Sequence, residues 1–365
     1  MLAMRRSPRI VTLICAALFI AISAVPFRLP GLFYMVGVLL AAPLVSYLLA
    51  AGGLRAVRAE RRVAPRLWPG ERTEVELRIS NLSRWPKALL LIDEELPDGL
   101  TGLPEEPPSC VVPMLWGEPF VYAYPLLAQH RGRYQLPPVR ATAVDAFDLF
   151  AASRPVGPPD EVIVYPRTVP LEADMLAGAR LLARVADQHR ADGTDFRHTR
   201  EYLPGDDLRR IHWPSTARRG TPIVVEYEEP TSSNLFIVLD ASPQFVVGAG
   251  RETSFETAVT LAASLIRYEL EHGHAVGLFV DLDPPIHVPL TDDRQSLIAF
   301  FEELAVIEPT SPRRFDRSLL AAAEVAPSNA LLFAIGSGPG SDARAAGESL
   351  LRKTTFIWSF PFRRR

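Results

Sequence analysis

The sequence predicts a multidomain membrane protein: an N-terminal transmembrane helix pair, a β-sandwich-like domain, and an α/β domain with a mainly parallel sheet. Three observations carry this. Two long uncharged runs open the chain, short alternating strands with frequent proline follow to about residue 149, and apolar strands alternate with helical stretches from residue 233. The implied boundaries are 1–59 for the basic N-terminus and helix pair and 60–155 for the sandwich. A helix and a charged excursion fill 156–232, and the α/β domain spans 233–365.

Ile10 to Phe27 gives 18 uncharged residues and Leu29 to Leu54 gives 26. The second is long enough to cross a hydrocarbon core; the first sits near the lower limit. Pro26, Pro30 and Gly31 mark the join as a tight turn, because prolines are best placed where helical bonding stops. Arg5, Arg6 and Arg9 precede the pair, Arg55, Arg58, Arg61 and Arg62 follow it, and Arg28 alone lies between. The positive-inside rule then puts both ends and the folded mass on the cytoplasmic side of the membrane. A cleaved signal peptide is the rival reading, although AISAVPFRLP is a poor cleavage site.

Thr73, Val75, Leu77 and Ile79 alternate with Glu74, Glu76 and Arg78, the pattern of a half-buried strand ended by Asn81-Leu82-Ser83. Lys87–Ile92, Cys110–Leu115, Glu118–Leu126, Arg133–Leu136 and Val139–Val144 read the same way, with prolines keeping them short. No catalytic cluster stands out here, so the domain reads as a spacer or docking module. Cys15 and Cys110 are the only cysteines, too few for a disulfide framework or thiolate cluster, and read as buried hydrophobes.

Glu161–Tyr165 reads as a further strand and Leu171–His189 as a helix. Gly193–Glu229 then packs six arginines, seven carboxylates and two histidines with no sustained period, a structured excursion of the kind that often carries function. Asp206 and Asp207 before Leu208-Arg209-Arg210 predict a helix start, and Ile211 and Trp213 its anchors. Arginine's planar fork suits carboxylates, so Arg197, Arg200, Arg209, Arg210, Arg218 and Arg219 suit an ion-pair lattice with Asp195, Glu201, Asp206 and Asp207. The same arginines, with Tyr202, Asp206, Asp207, His212 and Trp213, suit a docking surface. A metal-dependent hydrolytic centre built from His198, Glu201, Asp206 and His212 is the enzyme alternative, and no HExxH, Walker or G-x-S-x-G pattern accompanies it. The net charge of −3 and the carboxylates matching the arginines argue against nucleic acid.

From Asn234 onward strands are expected at 234–239, 275–280, 286–289, 330–335 and 354–359, with helices at 253–271, 293–304, 315–326 and 341–351. In such sheets sites gather at the strands' carboxyl ends, where Asp240, Ala241 and Ser242 fall.

The run Asp195-Phe196-Arg197, Arg200-Glu201-Tyr202, Pro204-Gly205-Asp206-Asp207, Arg209-Arg210-Ile211-His212-Trp213, Ala217-Arg218-Arg219-Gly220 resembles the DUF58 family, as does RGRYQLPPVRATAVDAFDLF upstream. The chain departs from the family at Ala146 and Asp148, where a proline and a glycine are usual. The resemblance implies a von Willebrand factor A-like C-terminal domain and a MoxR-type AAA+ ATPase as partner, with other membrane-complex proteins. It implies a protein-interaction or assembly role rather than an enzyme. A metal-binding domain of that type offers Asp-x-Ser-x-Ser; Asp240 and Ser242 match its first half, and Pro243-Gln244 replaces the rest. No cofactor is expected, with Mg²⁺ at Asp240 and Ser242, or adhesion-type binding there, kept as the alternative.

Overall fold

The computed structural model describes residues 3–27, 30–103, 107–145, 147–171, 196–203, 211–227, 234–250, 252–327, 330–336 and 357–361. The chain gathers into two compact units, Met1–Tyr165 and Pro166–Arg365.

The first unit holds strand β1 (Ala3–Arg6), helices α1 (Arg9–Phe27) and α2 (Pro30–Gly53), and strands β2 (Val57–Arg62), β3 (Arg66–Leu67), β4 (Arg72–Asn81), β5 (Lys87–Asp93), β6 (Leu100–Gly102), β7 (Ser109–Leu115), β8 (Phe120–Ala128), β9 (Gly132–Leu136), β10 (Val139–Val144), β11 (Phe150–Val156) and β12 (Asp160–Val164). They form sheets ordered β1-β11-β10-β5-β7, β2-β4-β8-β6 and β3-β12-β9. One core joins them: Val75, Leu77 and Ile79 of β4 and Tyr124 and Leu126 of β8 share a buried cluster with Leu90 and Ile92 of β5, Val112 of β7 and Ala141 of β10. Each Leu or Ile so buried is worth about 1.5–3 kcal/mol, and the period-2 alternation is what sends it inward. The unit is β-sandwich-like. Strand β2 alternates only over Val57 to Glu60 and β11 lacks the sustained alternation of β4, and pairing with β4 and β10 is what reveals them.

Arg61, one of the basic residues that follow the second helix, is built into the sandwich: its side chain is 2% exposed and each guanidinium nitrogen has a partner. Nε meets Glu94 at 2.7 Å, Nη1 meets Asp160 at 2.9 Å, and Nη2 donates to the Pro137 carbonyl at 2.7 Å. The buried Tyr124 hydroxyl donates to the other Glu94 oxygen. Burial, with the Glu94 charge next, pushes the Tyr124 hydroxyl pKa far up, so it stays a donor.

Helix α2 is long and apolar enough to cross a membrane, with 6% of its apolar stretch buried. The apolar part of α1, Arg9–Ala24, is shorter. Val11, Leu18, Phe19 and Ile22 of α1 and Val38, Leu44, Leu48 and Leu49 of α2 are exposed. Pro43 sits inside α2, where its ring removes one backbone bond. Both ends of this hairpin are tied to the same sandwich. Strand β1 pairs antiparallel with β11, Ala3 opposite Ser153 and Arg6 opposite Phe150. At the other end Ala50 and Leu54 enter the β core, and Gly53 lies so close to β10 that a Cβ there would come within 2.6 Å of the Ala143 Cβ.

The second unit contains β13 (Phe196–Glu201), α3 (Trp213–Arg219), β14 (Ile223–Tyr227), β15 (Leu235–Leu239), β16 (Gly248–Ala249), β17 (Glu252–Thr253), α4 (Ser254–Glu271), β18 (Val276–Val280), β19 (Ile286–Thr291), α5 (Ser296–Val306), α6 (Phe315–Val325), β20 (Leu331–Gly336) and β21 (Ile357–Pro361). Its main sheet is ordered β19-β18-β15-β20-β21, parallel except for the edge strand β19. β15 and β18 are buried at every position, as strands covered on both faces must be. Thr253 caps α4 by accepting from the Glu256 N–H at 3.2 Å, and Phe255, Ala258, Val259, Ala262, Leu265 and Ile266 point into the core as their spacing requires. The helices expected at 171–189 and 341–351 lie largely outside the described residues.

Candidate functional site

In the charged excursion the described residues form a hairpin with a helix set on it. β13 and β14 pair antiparallel, Thr199 opposite Val225 and Glu201 opposite Ile223. Between them, Ile211 bridges Val224 and the His212 N–H donates to the Ile223 carbonyl at 2.8 Å, so the chain entering α3 is held against β14. His212 is the helix N-cap: its Nδ1 accepts from the Ser215 N–H at 3.3 Å and lies 2.7 Å from the Ser215 hydroxyl. Thr216 closes the turn, donating to the His212 carbonyl at 3.0 Å and accepting from the Ile223 N–H at 3.0 Å. Gly220 ends the helix at φ 75°, the left-handed conformation that glycine adopts without strain.

No residue of α3 is buried. Trp213 is 68% exposed, and Arg218 and Arg219 are exposed in the last turn, where cations suit the carbonyl end of the helix dipole. Tyr202 is half-buried, its N–H bonded to the Pro222 carbonyl at 2.9 Å. The structure therefore brings Trp213, Arg218 and Arg219 together on one outward helix and spends one His212 ring nitrogen on capping. Helix α3 begins at Trp213, a start that the residue types did not announce because the cap is a histidine. The backbones of Arg197, His198 and Arg200 lie on β13; Asp195 and the stretch holding Asp206, Asp207, Arg209 and Arg210 lie outside the described residues.

The second cluster occupies the carboxyl edge of the main sheet. Asp240 and Ser242 are both buried; the Asp240 N–H donates to Ile335 at 2.8 Å, and its Oδ1 accepts from the Ser242 N–H at 2.8 Å. Gly336 permits this approach, since a Cβ there would fall 2.4 Å from the Asp240 Cβ. Asp281, which sequence reasoning missed, follows β18 as Asp240 follows β15, and the pairing of Leu239 with Val280 sets the two strand ends side by side. It is buried too. The Ser318 hydroxyl donates to its Oδ2 at 2.8 Å, and Arg313 Nη1 lies 3.5 Å from its Oδ1. The Ser311 N–H donates to the Ala241 carbonyl at 2.8 Å, drawing the loop before α6 onto the same edge. Among the described residues no group of three or more His, Cys, Asp or Glu side chains is placed to hold a metal. The signal for Asp281 was available: an aspartate closing a wholly apolar strand, repeated at the neighbouring strand.

Residues 198–333 match a family model described as "Protein of unknown function DUF58". The similarity is confined to that region of the chain. That region runs from β13 to β20, so the hairpin with its helix and the aspartates at the sheet edge fall within one family-level unit, while the helix pair and the sandwich lie outside the match. A relative, the uncharacterized protein YeaD of Bacillus subtilis (strain 168), is 26% identical over 253 residues, 65% of this chain and 59% of YeaD. The chain thus matches under two thirds of that relative's length. Among solved structures, the CARDB domain of the PF1109 protein from Pyrococcus furiosus, crystallised with di-metal ions, is similar at 14% identity, covering 30% of this chain and 91% of that one at a TM-score of 0.22. Trypsin-activated alpha-2-macroglobulin from Escherichia coli is similar at 15% identity, covering 81% of this chain and 18% of that one at a TM-score of 0.24.

Proposed function

We propose that this chain is a membrane-anchored protein-interaction and assembly factor. In this reading two membrane helices hold it at the bacterial inner membrane with both folded units in the cytoplasm. Its second unit contains a von Willebrand factor A-like domain, 233–365, and works with a MoxR-type AAA+ ATPase and other membrane-complex proteins. The observation that carries the recognition role is helix α3: a seven-residue helix with no buried residue, presenting Trp213, Arg218 and Arg219. Exposed Trp and Arg are the residue types that dominate protein–protein hot spots. The strand order β19-β18-β15-β20-β21, with one antiparallel edge and aspartates at the carboxyl ends, supports the A-like assignment. The anchoring reading draws on α2 and on the tying of both hairpin ends to one sandwich, which returns the chain to the side it left.

The test is co-purification of the full-length protein from membranes with its ATPase. Trp213→Ala combined with Arg218→Glu and Arg219→Glu should abolish capture while leaving the protein in the membrane fraction. Undiminished capture by that variant removes α3 from the interface. Labelling of residues beyond 60 by an impermeant probe on intact cells would reverse the compartment and end the partnership with it.

A further inference from the structure

The end of the sandwich from which the helices leave carries a set of exposed apolar side chains that the β core does not use. Trp85 is 78% exposed, Trp116 67%, Phe147 63% and Leu82 59%. They sit on three separate turns, β4–β5, β7–β8 and β10–β11, and the hydrogen bonding brings all three turns to the hairpin. The Leu82 N–H donates to the Ala56 carbonyl just after α2 at 2.9 Å. Lys87, which follows the first turn, donates through Nζ to the Gly52 carbonyl at 2.8 Å. Lys87 lies opposite Leu115, and the Asn81 side-chain amide donates to both the Trp85 and Leu115 carbonyls, tying the first turn to the second. The third turn meets the start of α1: the Ser7 N–H donates to the Leu149 carbonyl at 2.9 Å and Arg9 meets Asp148 at 2.8 Å. Beside it, Tyr47 of α2 packs edge-on against Phe150 with ring centroids 5.6 Å apart. Arg6, Arg9, Arg55, Arg84 and Lys87 lie at this end, against Glu118, Asp145 and Asp148.

We infer that this end of the sandwich is a second membrane-contact surface, with Leu82, Trp85, Trp116 and Phe147 inserted at the headgroup level of an anionic bilayer around the emerging helices. The inference rests on the membrane reading above and adds to it. Indole and phenyl groups favour that level because one part of it is apolar and the other wet, and excess basic residues favour anionic headgroups. Three turns then add to the hold that the two helices, tied into the sandwich at both ends, already give it on the bilayer. The opposite end of the sandwich supplies an internal control. Trp68 precedes β4, whose ten residues place it about 30 Å from the proposed surface.

The test uses full-length protein in phosphatidylglycerol–phosphatidylethanolamine vesicles containing lipid brominated in the upper acyl chain, which quenches tryptophan on contact. Single-tryptophan versions keep Trp85, Trp116 or Trp68 with the other four replaced by Phe; a fourth has all five replaced and carries Leu44→Trp in α2. Trp85 and Trp116 should lose about half their emission or more, as an interfacial indole would, and Trp68 should lose none. Quenching at position 44 without quenching of Trp85 and Trp116 overturns this inference and leaves the anchor intact. No quenching at position 44 overturns the anchor itself. Trp85 and Trp116 that are shielded from aqueous iodide yet unquenched by brominated lipid would mean that protein, such as a second copy, covers the surface, and the inference fails.

Discussion

Removing Arg61 should damage the sandwich more than removing any surface arginine. Its guanidinium makes three short bonds, to Glu94, Asp160 and the Pro137 carbonyl, and the Glu94 side chain it meets is only 1% exposed. Arg61→Met therefore leaves a buried carboxylate with the Tyr124 hydroxyl and no counter-charge. Breaking one partner of such a pair costs about 3–5 kcal/mol, because the orphaned charge keeps its desolvation penalty. That corresponds to a loss of roughly two to three and a half decades of protection at about 1.4 kcal/mol per decade. Hydrogen–deuterium exchange of full-length protein in detergent reads it on the amides of β2, β5 and β8, and so avoids treating two units as one transition. Arg61→Met with Glu94→Met should recover part of the loss, since the orphaned charge is gone but the buried Tyr124 hydroxyl loses its acceptor. A single variant with unchanged protection, or a double variant as damaged as the sum of the two singles, would refute the reasoning.

Asp145 makes the β10–β11 turn acid-sensitive. Burial works to raise its pKa, but N–H bonds from Phe150, Leu149 and Phe147 outweigh it and hold the carboxyl below its ordinary 3.8. A depressed folded value means this stabilisation is complete above the ordinary value and is lost as pH falls through the lower one, so protection at 147–150, taken relative to intrinsic exchange at each pH, should fall below pH 3.8 in wild type and stay flat there in Asp145→Asn. Burial, then the Glu94 charge, pushes the Cys110 thiol from 9.0 up to about 11, so in a Cys15→Ser background its maleimide labelling near neutral pH should run roughly a hundredfold below that of a free thiol. His212→Ala should loosen α3 by about 1 kcal/mol, with tryptic cleavage after Arg218 and Arg219 faster. His212→Asn should restore it, because asparagine also caps, whereas a proton-transfer role for His212 would not be rescued.

Helices, strands and most of the core were legible in the chain because their signals are local. The uncharged runs give α1 and α2, the alternation of Val75, Leu77 and Ile79 gives β4, and the apolar stretches at 235–239 and 276–280 give buried parallel strands. The hairpin of β13 and β14 and the strands β1, β2 and β11 were not legible, since pairing with another strand, more than their own alternation, makes them strands. Ala3–Arg6 is a strand because β11 offers it an edge. The candidate site divides the same way. Trp213, Arg218, Arg219, Asp240 and Ser242 could be picked by residue type, but only the fold capped a helix with His212 and left Trp213 outside.

By itself the sequence determined the type and buried face of the elements with a strong local pattern, such as α1, α2, β4, β15 and β18, because hydrophobic period and punctuation act within a few residues. Tertiary structure alone decided which charges are buried and which are free. Arg55, Arg58, Arg61 and Arg62 look alike along the chain, yet one of them is fixed in the core by Glu94, Asp160 and Pro137. Desolvation depends on what packs around a side chain, and strands 33 and 99 residues further on supply that packing.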